Sequence, residues 1–105
     1  MDEYTVDIIT LSQTEKPWEF QFTAMIDTGA KRSSIDETLA TLLRLESVGE
    51  IKVSNAMGKQ ERPIVKIKII HDDKEYELEV SITDRSNLSY PMIVGRDFLE
   101  LWKSN

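Results

Sequence analysis

The 105-residue chain contains no cysteine, a single histidine, three prolines and four glycines. The absent thiols exclude disulfides, thiol catalysis, zinc-thiolate sites, iron-sulfur clusters and redox chemistry built on them. Pro17, Pro63 and Pro91 are scattered, and neither a linker-like tract, an internal repeat nor a low-complexity segment is present. Apolar runs last only a few residues, too short to cross a membrane as a helix, and Met1-Asp2-Glu3-Tyr4 is acidic where a secretory leader would be basic. A cytoplasmic protein is expected. Lys and Arg number 13 against 19 Asp and Glu, and a net charge of −6 repels phosphate backbones and anionic lipid. Neither a nucleic-acid nor a membrane partner is expected.

What is present reads as one folded domain over residues 1–105. Apolar residues make up 40% and charged residues 30%, and the apolar ones recur along most of the chain, which suits a single core at this length. Alternation dominates. Val6 to Leu11 and Trp18 to Ile26 read as strands around a polar turn of Ser12 to Lys16. Val65, Ile67 and Ile69 alternate with Lys66 and Lys68; beyond His71-Asp72-Asp73-Lys74, Tyr76, Leu78, Val80 and Ile82 alternate with Glu75, Glu77, Glu79 and Ser81. This predicts an antiparallel hairpin whose solvated face sets lysines against glutamates.

Two segments depart from that period. Ile35, Leu39, Leu42 and Leu43 fall at helical spacing and predict a helix of about three turns, capped by Ser34 in a capping box with Glu37 or by Asp36. Asp97 to Trp102, after Gly95, predicts a second short helix with Asp97 as its cap. A mainly β fold with two helices follows.

The chemistry concentrates in Ala24-Met25-Ile26-Asp27-Thr28-Gly29-Ala30, which ends an apolar strand on a carboxylate followed by a sharp-turn residue. Burying a carboxylate there costs several kcal/mol unless it is hydrogen-bonded or shares a proton. The plain alternative is an Asx-turn at a strand end, since an Asp-Thr-Gly triplet arises by chance in on the order of one such chain in fifty. A second element decides between them. Tyr90-Pro91-Met92-Ile93-Val94-Gly95-Arg96-Asp97-Phe98-Leu99 is another apolar strand running into glycine and then a helix.

Together the two elements resemble the retropepsin-like aspartic proteases, and the resemblance covers most of the chain. Ile26 to Ile35, Glu61 to Val65 and Ile82 to Leu88 look most like a small bacterial and archaeal group named ATP-dependent zinc proteases, linked to ATP-grasp ligases that add glutamate to proteins. The resemblance implies a fold and a chemistry. The fold is mainly β, the closed β-barrel half of an acid protease with one or two short helices. The chemistry is peptide-bond hydrolysis by a water held between two carboxylates about 3 Å apart that share a proton. One chain offers only Asp27, so a two-fold homodimer must bring Asp27 and its copy together.

In the family the matching positions give Thr28 and Gly29 the support of the catalytic loop, with Ala30 beside them, and pack Val94 and Gly95 behind it. Asn55, Ala56, Met57 and Gly58, at the turn of Ile51 to Glu61, take the place of the flap that closes on an extended peptide. Many retroviral members have aspartate where this chain has Lys31, so Arg96 is expected to pair elsewhere, with Asp84, Asp97 or Asp36. With ten residues after Gly95, the C-terminal strand that many relatives interleave across the dimer is not expected.

No cofactor or metal is expected, despite the group's name. His71 stands beside Asp72 and Asp73 in what reads as an exposed turn, without the three or four ligands zinc requires. No glycine-rich phosphate loop supports ATP use. Ser33 and Ser34 read as helix-capping residues, and Trp18 and Trp102 as exposed or dimer-contact side chains. The leading expectation is an aspartic endopeptidase acting on a peptide or protein. The alternative is a weak or inactive module that binds a partner, such as an ATP-grasp ligase, through the same groove, and a purely structural β domain comes third.

Overall fold

The alternating segments form one continuous sheet, seen in a computed structural model that describes residues 4–55, 58–83 and 89–103, without the side chains of Val53 and Asn55. The chain runs through β1 (Thr5–Leu11), β2 (Glu19–Ile26), β3 (Ser34–Asp36), α1 (Glu37–Leu42), β4 (Glu46–Asn55), β5 (Gly58–His71), β6 (Lys74–Thr83), β7 (Met92–Val94) and α2 (Arg96–Lys103). Strand order is β1-β2-β7-β3-β6-β5-β4, and β1 also pairs with β5. That last pairing closes six strands into a barrel and leaves β4 outside it, hydrogen-bonded to β5.

Both expected hairpins are present. Thr5 pairs with Met25 and Leu11 with Glu19 in the first, and Val65 with Val80 and Ile69 with Tyr76 in the second. Asp72 and Asp73 form the second turn with φ of 50° and 62°, the left-handed pair that a tight two-residue hairpin demands and that aspartate tolerates. On the solvated face Lys66 stands opposite Glu79 and Lys68 opposite Glu77. The ion pairs run diagonally instead, Lys66 to Glu77 at 3.0 Å and Lys68 to Glu75 at 3.9 Å. The opposite face points inward, where Ile8, Ile35, Val65, Ile67, Ile69, Val80, Met92, Val94 and Phe98 are fully or almost fully buried.

The first helix is shorter than its spacing predicts. Ile35 belongs to β3, a three-residue strand between β6 and β7, so α1 keeps only six residues. Asp36 caps it by accepting from the Thr38 amide at 3.0 Å. Ser34 pairs in the sheet, so the capping box does not form. Leu42 is 54% exposed, and the apolar stripe passes instead to Leu43 at the C-cap, which is fully buried. Arg44 then takes φ 54° and ends the helix in a left-handed conformation, without the usual glycine. The second helix forms as expected, but Asp97 lies inside its first turn rather than at its cap.

Two side chains sit deeper than expected. His71 is half-buried, stacked on Trp102 with ring centroids 4.5 Å apart, and Trp102 packs in turn on Phe98. Trp102 is therefore partly buried against the core, whereas Trp18 is exposed.

Candidate functional site

Asp27 follows the last residue of β2, where the parallel neighbour β7 also ends: Met25 pairs with Ile93 and Ile26 with Val94. The next pairings of β7 are antiparallel to β3, Ser34 with Ile93 and Ile35 with Met92. β7 is thus threaded between the two arms of the loop 27–33, which carries the carboxylate.

Backbone bonds pin that loop. The Asp27 amide donates to the Val94 carbonyl at 2.9 Å, the Ala30 amide to the Asp27 carbonyl at 3.1 Å, and the Arg96 amide to the Ala30 carbonyl at 2.9 Å. Asp27 Oδ1 accepts from the Gly29 amide at 2.9 Å, while Oδ2 has no hydrogen-bond partner among the described residues. One carboxylate oxygen is therefore oriented by the loop. Thr28 and Gly29 are exposed in the single chain.

Space requires glycine at position 95 and is tight at position 29. A Cβ on Gly95 would lie 2.9 Å from the Ala30 carbonyl oxygen and 2.9 Å from the Arg32 carbonyl carbon, both backbone atoms. A Cβ on Gly29 would meet Asp27 Oδ1 at 3.2 Å. The loop and the Val94-Gly95 element can approach this closely only because residue 95 has no side chain.

A side-chain connection completes the grip, and it gives Ser33 and Asp97 roles that differ from capping. Ser33, fully buried, donates its hydroxyl to Asp97 Oδ1 at 2.7 Å and accepts from the Gly95 amide at 2.9 Å. The Ser33 amide also reaches both Asp97 oxygens, at 3.1 and 3.0 Å. Nothing local in the sequence signals a contact across this separation; only the helix placed directly after Gly95 hints that its first turn faces the loop.

Asp27, Thr28, Gly29, Ala30, Val94 and Gly95 thus come together at one end of the barrel. Asn55 and Gly58 pair at the end of the β4–β5 hairpin, and Gly58 has φ 115°, a conformation suited to glycine. Ala56 and Met57 lie outside the described residues. So does Asp84, one of the partners expected for Arg96; among the described residues Arg96 forms no salt bridge with Asp36 or Asp97. A cleft of about 720 Å³ opens beside the loop between Lys31, Arg32, β6 and α2, and Asp27 does not line it.

No curated protein matches the chain significantly. The fold is similar to the EIAV protease bound to the inhibitor HBY-793, with TM-score 0.67, 16% identity, and 97% of this chain and 89% of that one covered. It is similar to the simian foamy virus (mac) protease, with TM-score 0.66, 13% identity, and 97% and 98% covered. A retropepsin-like aspartic protease from Rickettsia conorii gives TM-score 0.52, 15% identity, and 95% and 84% covered. These likenesses show a retropepsin-like fold and select neither the zinc-protease group nor its ligases. Residues 19–101, which hold both the Asp27 loop and the Gly95 element, match the family described as "gag-polyprotein putative aspartyl protease", and the chain belongs to that family.

Proposed function

We propose that the chain is an aspartic endopeptidase that works as a homodimer, with Asp27 of each subunit supplying half of the catalytic pair. The observation that carries this reading is the Asp27 carboxylate, fixed through Oδ1 by the Gly29 amide at the end of two parallel strands, with Oδ2 unpartnered among the described residues. Two such carboxylates facing each other cannot both ionise at close range, so they share one proton. The ionised member takes a proton from a bound water, whose oxygen attacks the peptide carbonyl as the protonated member donates to the carbonyl oxygen. On collapse, the carboxyl that took the water's proton passes it to the departing amine while a hydroxyl of the tetrahedral intermediate returns a proton to the other carboxylate, which regenerates the singly protonated pair.

Exposure of Thr28 and Gly29 supports assembly, because the residues that flank the carboxylate remain free to meet a second copy. The β4–β5 hairpin, projecting beyond the barrel, supplies backbone groups that an extended peptide can pair with as an added strand.

The test couples assembly to cleavage. Sedimentation should show a dimer at high concentration, and the parent should cleave a library of unstructured peptides. Asp27→Asn should dimerise equally and cleave nothing. An Asp27→Asn variant as active as its parent, or a chain monomeric at all concentrations, removes this reading; a dimer that binds peptides without cutting them establishes the partner-binding alternative.

A further inference from the structure

We propose that Ser33 and Asp97 are positioning residues for Asp27, forming a directional brace that sets the angle of the catalytic loop; this rests on the reading of Asp27 as the catalytic carboxylate. The loop is held by four successive residues of the opposing element. Val94 accepts from the Asp27 amide, Arg96 donates to the Ala30 carbonyl, and Gly95 and Asp97 both engage Ser33. The first two attachments use backbone atoms and form with almost any sequence. Only the third depends on side chains.

Its polarity has one solution. The Gly95 amide can only donate and takes a lone pair of Ser33 Oγ, so the single hydroxyl proton is left for Asp97 Oδ1. The chain of donors therefore runs from Gly95 through Ser33 to Asp97. Asp97 Oδ1 also accepts from the Phe98 amide at 2.8 Å, which ties the carboxylate to the first turn of α2. Ser33 is fully buried, and its hydroxyl is satisfied as donor and as acceptor, so removing it would leave the buried Gly95 amide unpaired. Here the direction fixes the far end of a short loop whose near end bears Asp27. Two carboxylates that must share a proton tolerate little displacement, and misplacement by about 1 Å can lower a rate on the order of a hundredfold.

Two measurements test the brace, one dependent on cleavage and one independent of it. Ser33→Ala should lower kcat about tenfold or more with KM and dimer affinity within about twofold of the parent, and Ser33→Thr, which keeps the hydroxyl, should recover most of the loss. Asp97→Asn retains one oxygen for the hydroxyl but loses one acceptor for the Ser33 amide, so its kcat should fall between the two; it also serves if Ser33→Ala does not fold. In parallel, amide hydrogen exchange at Gly29 and Ala30 should quicken about tenfold in Ser33→Ala while Val65 to Ile69 exchange as before. Parental kcat in Ser33→Ala, a loss that threonine does not restore, or unchanged exchange at Gly29 and Ala30 overturns the proposal. Quickened exchange in a chain that cleaves no peptide before or after substitution instead overturns the catalytic reading and leaves the brace standing.

Discussion

His71 lies almost flat on Trp102, their planes inclined by 27°, and the indole Nε1 of Trp102 is buried with no hydrogen-bond partner among the described residues. That unpaired donor makes Trp102→Phe informative. The exchange removes some apolar area, costing about 1 kcal/mol, and removes an unsatisfied N–H whose burial costs about 1–3 kcal/mol. The two oppose each other. Denaturant unfolding should place Trp102→Phe within about 1 kcal/mol of the parent, whereas Trp102→Ala, which also loses the contacts to His71 and Phe98, should cost about 2–4 kcal/mol. A large loss in the phenylalanine variant would mean that the indole nitrogen has a partner after all.

Gly95→Ala tests the closest approach in the site. The new Cβ would sit at 2.9 Å from two backbone atoms of the loop, neither of which can rotate away. Either the loop moves or the Arg96 amide loses the Ala30 carbonyl, and overpacking of this kind costs about 1–3 kcal/mol. Thermal unfolding should show a lower Tm, with peptide cleavage falling further than the folded fraction. Alanine tolerated at parental Tm and activity would show that the loop has slack.

Much of the barrel was legible because alternation reports a half-buried strand directly. Val65 to Ile69 and Tyr76 to Ile82 needed only their period to be assigned to faces. β3 was not legible: Ser34-Ile35-Asp36 is too short to show a period, and it is a strand because β6 and β7 flank it. The same assignment shortens α1 at its start, and Arg44 ends it in a conformation that glycine would have announced. Of the candidate site, Asp27 and Gly95 stood out because each sits where an apolar strand meets a turn or helix. Ser33 did not, since a serine in a polar stretch acquires its meaning only from Asp97, 64 residues away.

The capping of α1 separates two residues that the sequence left equivalent. Asp36 accepts from the Thr38 amide, and Ser34 is held in β3. Asp36→Ala should therefore cost about 1 kcal/mol or more, in the range of lost N-caps, while Glu37→Ala, which removes the second half of the unformed capping box, should change stability by less than about 0.5 kcal/mol. Chemical denaturation of both variants checks this. Equal losses would restore the capping box.

Lys66 and Glu77 carry the one resolved pH dependence among the described residues. The hydrogen bond that Lys66 donates to Glu77, then the charge of Glu77, raise the Lys66 pKa above its ordinary 10.5. The unfolded chain lacks that partner and so releases the proton at lower pH than the folded one. Stability from the pair is therefore complete below the unfolded pKa and is lost as pH rises through the folded value, a window that opens near pH 10.5 and extends upward. Both side chains are well exposed, so the effect is small and screened by salt. Between about pH 10 and 12, the parent should lose stability slightly more steeply than Glu77→Gln, with the difference shrinking at 1 M salt. Parallel slopes at low salt would show that solvent, rather than Glu77, holds the Lys66 ammonium.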